Sequence, residues 1–217
     1  MKLYKYKSLN NFGHVAEIIC KNRFHASQYY ELNDPMEGLF NCDEGTKKEY
    51  IDDIKEGKSK LRICAFSKDF QNPLLWAHYA DGFKGICIKV EIDKKSPDFD
   101  IAEVEYSAVR IRFTNKAARL RGELPKLILR QKAKEWSVEK EVRLLSSSEY
   151  LQYGIKIRGI LLGLRTPDIL KRTIIQLAAT DVEIWNTKIA SRTNRIVIGE
   201  RIYRETKIQT HLPFGEY

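Results

Sequence analysis

The chain has 217 residues, of which 43% are hydrophobic and 31% charged, with 6 prolines and a formal net charge of +9. That balance excludes a disordered or low-complexity chain and suits one large domain or two small ones able to bury a core. No run approaches the roughly 18 apolar residues that a membrane helix needs, and the opening "MKLYKYKSLNNFGHV" lacks the apolar centre of a secretory signal, so a cytoplasmic protein without membrane contact is expected.

Taken in chain order, "KLYKYKSL" predicts a short strand, followed by a helix through Val15, Ile18 and Ile19 that ends near Asn22. "RFHAS" predicts a second strand. In "ELNDPMEG", Asn33, Asp34, Pro35 and Gly38 crowd together, which is turn chemistry, and a charged helix is expected from Glu44 to Lys55. "LRICAFS" predicts a strand, "NPLLWAHYA" a helix capped by Asn72 with Pro73 at its first position, and "GICIKVEI" a strand released by Gly82 and Gly85. "IAEVEYS" alternates as one strand would.

Between residues 110 and 134 stand nine basic residues against the single acid Glu123. On a helix, Lys116, Arg119, Lys126, Arg130 and Lys134 fall near one stripe, and Ala117, Leu120, Leu124, Leu127 and Ile128 near another, with an interruption at Gly122 and a restart at Pro125. Lys126, Arg130 and Lys134 on such a stripe are candidate nucleic-acid contacts, and a solvated helix face explains the same pattern. "WSVEKEVRLL" predicts a strand, "IKIRGILLGL" another, then a helix from near Pro167 and the strands "VEIWNT" and "NRIVIGERIYR". No regular element is assigned after Thr206. The alternating strands and short connections favour a single α+β domain, residues 1–217, with mixed or antiparallel sheets and flanking helices, over a doubly wound parallel fold.

Several constellations are candidates for chemistry. As a strand, "WSVEKEVRLL" puts Glu139, Glu141 and Arg143 on one face, which is either the wet side of a sheet or a pair of reacting carboxylates. Trp76 and Tyr79 lie three apart on the expected helix with His78 beside them, a set that either packs into the core or floors a pocket for a flat ring. Tyr4 and Tyr6 share one strand face and Lys5 takes the other. Ser67 closes its strand as a ligand hydroxyl or a turn starter. Asp34, Glu37, Glu139 and Glu141 also make a candidate carboxylate set for a metal-dependent nuclease. Cys20, Cys42, Cys64 and Cys87 are spread without a C-x-x-C pair or a nearby histidine, so no metal site is expected, and Cys64 and Cys87, within apolar strand-like runs, read as small buried hydrophobes. Phosphate-cradling glycine loops, G-x-S-x-G, H-E-x-x-H and EF-hand spacings are absent.

The ordered blocks "LYKYKSLN", "LNDPMEG", "ICAFSKD", "LLWAHYADGFKGICI" and "WSVEKEVRLL" resemble a widespread bacterial family catalogued only as a domain of unknown function. The resemblance spans residues 2–145 and is much less diagnostic over 146–217. That family is in turn distantly similar to the ADP-ribosyltransferase superfamily, some of whose relatives are toxins or phage-defence effectors. The resemblance implies an ADP-ribosyltransferase-like core that uses NAD, with Glu141 catalytic and Glu139 its helper. It implies cofactor contacts from Lys5, Tyr6, Ser67, Trp76, His78, Tyr79 and Arg143, and a pocket rim of Asn33, Asp34 and Glu37. Lys5 stands where one branch of the superfamily places histidine, and the S-T-S triplet of another is incomplete. Implied partners are a nucleic-acid or protein acceptor and an antitoxin or other defence-system protein. A non-catalytic nucleic-acid or partner-binding module is the alternative.

Overall fold

A computed structural model of the chain describes residues 1–114 and 122–203. Lys116, Ala117, Arg119 and Leu120 of the expected basic helix, and the segment after Thr206, lie outside the described residues. The chain opens with β1 (Lys2–Lys7) and α1 (Phe12–Lys21), which ends where Asn22 adopts the left-handed conformation at φ 53° and donates its N–H to the Ile18 carbonyl at 2.9 Å. Asparagine is one of the few residues with a side chain that enters this region readily. β2 (Phe24–His25) and β3 (Asn41–Cys42) follow, then α2 (Lys48–Ser59), which starts four residues later than the sequence suggested. The Thr46 hydroxyl and N–H both bind the Asp43 carbonyl, at 2.7 and 3.2 Å, and this turn holds the chain out of the helix.

β4 (Arg62–Ser67) leads to α3 (Pro73–Tyr79), whose cap is as expected: Asn72 Oδ1 accepts the Leu74 N–H at 3.0 Å. β5 (Ile86–Ile92) follows. "IAEVEYS" divides at Val104 into β6 (Asp100–Glu103) and β7 (Glu105–Ser107), because Val104 N–H bonds to Glu141 while Glu105 N–H bonds to Arg130, on separate neighbours. β8 (Arg112–Phe113), α4 (Leu124–Leu129) and β9 (Gln131–Ala133) precede β10 (Glu141–Ser146). The remainder is β11 (Tyr150–Leu151), β12 (Ile155–Leu162), α5 (Asp168–Leu177), β13 (Glu183–Ile189) and β14 (Ile196–Ile202).

The expected mixed α+β architecture is present. Among the described residues eight strands form one sheet in the order β14-β13-β12-β5-β1-β4-β10-β6, antiparallel throughout except for β12 beside β13. The segment after residue 145 therefore adds β12, β13 and β14 to the sheet that β1 begins. On one face Leu3, Phe66, Ile88, Val90 and Leu144 pack against Val15, Ile18 and Ile19 of α1 and Ile174 of α5. Each such side chain contributes roughly 1.5–3 kcal/mol by leaving water, which makes this the principal core.

The second face is interrupted. Tyr6, Cys87 and Leu161 pack beneath Leu75 and Trp76 of α3, and Ile63 and Leu145 pack against Leu129 at the end of α4. Between those two clusters lie Ala65 and Ser67 of β4 and Glu141 and Arg143 of β10, which share that face by register: Glu141 opposes Ser67 and Arg143 opposes Ala65. The sheet also loosens here. β1 pairs with β5 along its whole length but with β4 only at Tyr4 opposite Ser67, and Lys5 Nζ reaches the Ala65 carbonyl at 2.7 Å beyond that point. No helix among the described residues is long and apolar enough to cross a membrane.

Candidate functional site

A cavity of about 180 Å³ opens on this interrupted face. Tyr4, Tyr6, Leu32 and Leu75 give it apolar walls, and Ser67, Tyr79, Lys132, Glu139 and Glu141 give it a polar floor. Sequence order does not explain why the two glutamates meet there. The segment Lys134–Glu139 forms 3₁₀ turns in place of the expected strand, Lys140 takes the left-handed conformation at φ 47°, and the strand begins only at Glu141. Tertiary bonds override the alternating pattern: the Ser67 hydroxyl donates to the Glu139 carbonyl at 2.6 Å and Asn72 Nδ2 donates to the Val138 carbonyl at 3.1 Å. Glu139 thus reaches Glu141 from a turn and does not share its strand face.

Lys132, on β9, joins the two acids. Its Nζ donates to Glu139 Oε2 at 2.6 Å and Glu141 Oε2 at 3.1 Å, and stands 3.7 Å from Glu37 Oε1. Arg143 lies behind, donating from Nε to Glu141 Oε1 at 2.8 Å, from Nη1 and Nη2 to the two Glu37 oxygens, and to the Leu129 carbonyl at 2.6 Å. Three carboxylates and two cations are therefore buried together, with the acids in excess. The Tyr79 hydroxyl donates a short hydrogen bond to Glu139 Oε1, and Tyr106 OH accepts the Glu141 N–H at 2.7 Å.

These surroundings push the two carboxyls in opposite directions. Burial alone raises Glu141, but the Arg143 and Lys132 charges and their hydrogen bonds outweigh it and hold the group at about 2. Burial wins at Glu139, whose pKa is raised in spite of its bonds to Lys132 and Tyr79. Burial and the neighbouring Glu139 carboxylate raise the Tyr79 hydroxyl, so Tyr79 remains a donor, and burial pushes Tyr106 up to about 12. One acid is thus fixed in its ionised form and the other is poised nearer neutrality, the division of labour that acid–base sites use.

No family model, curated protein or solved structure matches the chain.

The other expected site residues divide clearly. Tyr6, Ser67, Tyr79, Asn33 and Glu37 line the cavity. Lys5 contributes to its wall, but strand alternation sends its ammonium to the opposite face, where it lies 5.3 Å over the Phe66 ring. Ser67 donates its hydroxyl to the Glu139 carbonyl and accepts the Asp69 N–H, so it fixes backbone. Trp76 is fully buried core, with Nε1 donating to the Phe70 carbonyl at 2.7 Å and its ring edge-on to Tyr6, so it has no face free for a ligand. His78 is exposed on α3 and does not line the cavity. Arg143 is sealed behind the acids with no exposed surface, which withdraws it from direct cofactor contact. Asp34 is also outside the lining; its Oδ1 accepts the Met36 N–H at 2.9 Å and shapes the loop.

Of the four carboxylates considered for metal binding, three converge, but Lys132 and Arg143 already stand between them, and the described residues offer no group of three side chains placed to hold an ion. Lys126 is paired with Asp100 at 2.8 Å and Arg130 with Glu105, whereas Lys134 is exposed. Sequence reasoning missed Lys132, which it only counts among the nine basic residues between 110 and 134, and Tyr106. The burial of Lys132 depends on β9 pairing with β7 in parallel, which no local pattern announces.

Proposed function

We propose that the cavity cleaves the bond between nicotinamide and ribose of NAD, in an ADP-ribosyltransferase-like or NAD-hydrolysing reaction carried out in the cytoplasm. The observation that carries this reading is the pair Glu139 and Glu141, joined by Lys132 beneath aromatic walls and driven to opposite protonation behaviour. Breaking a glycosidic bond develops positive charge on the sugar, and a carboxylate fixed in its ionised form stabilises that charge without reorganising. Glu141 has that property. Glu139, poised nearer neutrality, exchanges a proton with the attacking hydroxyl or water, and Tyr79 orients it. Tyr4 and Tyr6 offer ring surface to a flat, cationic base.

The placement of the resembling blocks supports the same reading, because β1, the end of β4 and the start of β10 are neighbours in the sheet and border one cavity. The cavity suits the nicotinamide–ribose end of NAD. It does not supply a pyrophosphate clamp, since the Lys5 ammonium faces away and Arg143 is sealed. Release of nicotinamide from NAD by the purified chain tests the proposal: Glu141→Gln and Glu139→Gln should each lower it at least about 100-fold while the melting transition stays cooperative. Turnover unchanged in both variants removes the reading.

A second reading, a non-catalytic module of a toxin or phage-defence system that binds nucleic acid, an antitoxin or another partner, is favoured by one observation. The Glu37–Arg143–Glu141 cluster is as completely paired as a purely structural ion network. Absence of nicotinamide release from the wild-type chain, together with saturable partner binding, would select it.

A further inference from the structure

On the face of the sheet opposite the carboxylates, the chain builds a second, cationic cleft between β1, α1, β2 and β11. Lys5, Lys7, His14, Arg23, His25 and Tyr150 contribute to it. Glu17 is the single carboxylate in the lining, and it is already shared by Arg23 at 3.3 Å and Lys21 at 3.5 Å. At the rim, Glu149 stands 3.8 Å from His25 Nε2. Lys7 has no hydrogen-bond or ion-pair partner among the described residues, and burial, with the nearby Lys5 charge, lowers its ammonium to about 8. A half-buried cation without a counter-ion is costly to keep charged, so the cleft is short of negative charge.

The geometry is prepared for an anion. The Arg23 guanidinium lies 4.0 Å from the centre of the Tyr150 ring, a contact that restricts its planar fork, and the His14 and His25 rings stack 6.0 Å apart along the same wall. We propose that this cleft is a phosphoryl-anion site, with Lys7 and Arg23 as its principal ligands. A doubly charged tetrahedral oxyanion matches an unpaired lysine and an arginine fork better than a single carboxylate does. The size limits what enters. The enclosed space is about 10 Å³, enough for one water-sized group, so one phosphoryl oxygen enters beside Lys7 and the rest of the group sits at the mouth beside Arg23. The chemistry is shared by free phosphate and by the terminal phosphate of a larger molecule.

Calorimetric titration of the full chain with inorganic phosphate, and separately with phenyl phosphate, at constant ionic strength tests the site without requiring turnover, so its outcome is independent of the NAD reading. Saturable binding at one site is expected, weakened at least about tenfold by Lys7→Met and by Arg23→Gln, and unchanged by Lys84→Met, in a remote ion pair with Asp81. Tighter binding of phenyl phosphate assigns the site to a phosphorylated molecule, and equal or tighter binding of inorganic phosphate assigns it to the free anion. If Lys7→Met alters folding, Arg23→Gln decides, because Arg23 is only half-buried. Failure of both probes to saturate the wild-type chain, or equal affinity of wild type and Arg23→Gln, overturns the proposal.

Discussion

Arg143 grips Glu37 at two points inside the protein, with Nη1 2.8 Å from Oε2 and Nη2 2.5 Å from Oε1, and the two side chains expose 0% and 1% of their surface. One residue belongs to a central strand and the other to a loop more than a hundred positions earlier, so the pair fastens the cavity rim to the sheet. Glu37→Ala leaves Arg143 with only Glu141 and the Leu129 carbonyl, and breaking a buried pair from one side costs about 3–5 kcal/mol. Urea unfolding should show that loss. A change below about 1 kcal/mol would mean that water reaches the guanidinium.

The depressed pKa of Glu141 carries a pH signature. Its folded-state value of about 2 lies below the ordinary 4.5, so the ionised form stabilises the fold, fully above 4.5 and progressively less as the pH falls from there to about 2. The melting temperature of the wild-type chain should therefore decline across that window. In Glu141→Gln the acid decline should be shallower, from a lower plateau at neutral pH, because Arg143 and Lys132 lose a partner. Parallel declines in the two proteins would assign the acid sensitivity to other carboxylates.

Lys7 should act at the opposite end of the scale. Its folded value of about 8 lies below the ordinary 10.5, so between these the unfolded chain binds more protons and stability rises with pH. Lys7→Met removes that rise and stabilises the protein at neutral pH, where the wild type holds a protonated, half-buried ammonium without a counter-ion. Thermal melts at pH 7 and 10 measure the difference; a wild-type curve no steeper than that of Lys7→Met contradicts it.

How much was legible follows from the kind of force involved. Asn72, Pro73 and Asn22 declared the ends of their helices, because caps are local backbone chemistry. Parity placed Glu141 and Arg143 on one face and Lys5 across the sheet from Tyr4 and Tyr6, because a strand fixes direction residue by residue. Glu139 was placed next to Glu141 for the wrong reason: the side chains meet through a left-handed Lys140, which alternation cannot reveal. Lys132 and Arg143 illustrate the remaining gap. Arg143 reads as charge available to a ligand and Lys132 as one of nine basic residues in its segment, and their burial is visible only when non-adjacent strands set three carboxylates around them.

The basic segment bears on the module reading. Of its three proposed nucleic-acid contacts, Lys126 and Arg130 already face Asp100 and Glu105, which leaves Lys134 as the exposed cation without an acid partner among the described residues. Each phosphate neutralised adds about 0.9 to the slope of log affinity against log salt on duplex DNA. The triple change of Lys126, Arg130 and Lys134 to glutamate should therefore reduce the slope by about one at most. A reduction near three in a filter-binding series would show that the two ion pairs open on DNA.

Tyr79 offers the sharpest test of the acid–base assignment. Its hydroxyl hydrogen bond favours the ionised form of Glu139 against the effect of burial. Tyr79→Phe removes that bond, so the Glu139 pKa must climb further. If Glu139 takes a proton during nicotinamide release, the rate falls as the pH drops through its pKa, and the acid limb of kcat/KM should move to higher pH. A tyrosine that only packed against the cavity wall would lower the rate at every pH and leave the limb in place. Nicotinamide release measured from pH 4 to 9 in both proteins separates these outcomes, and an unmoved limb would remove Glu139 from the proton-transfer role.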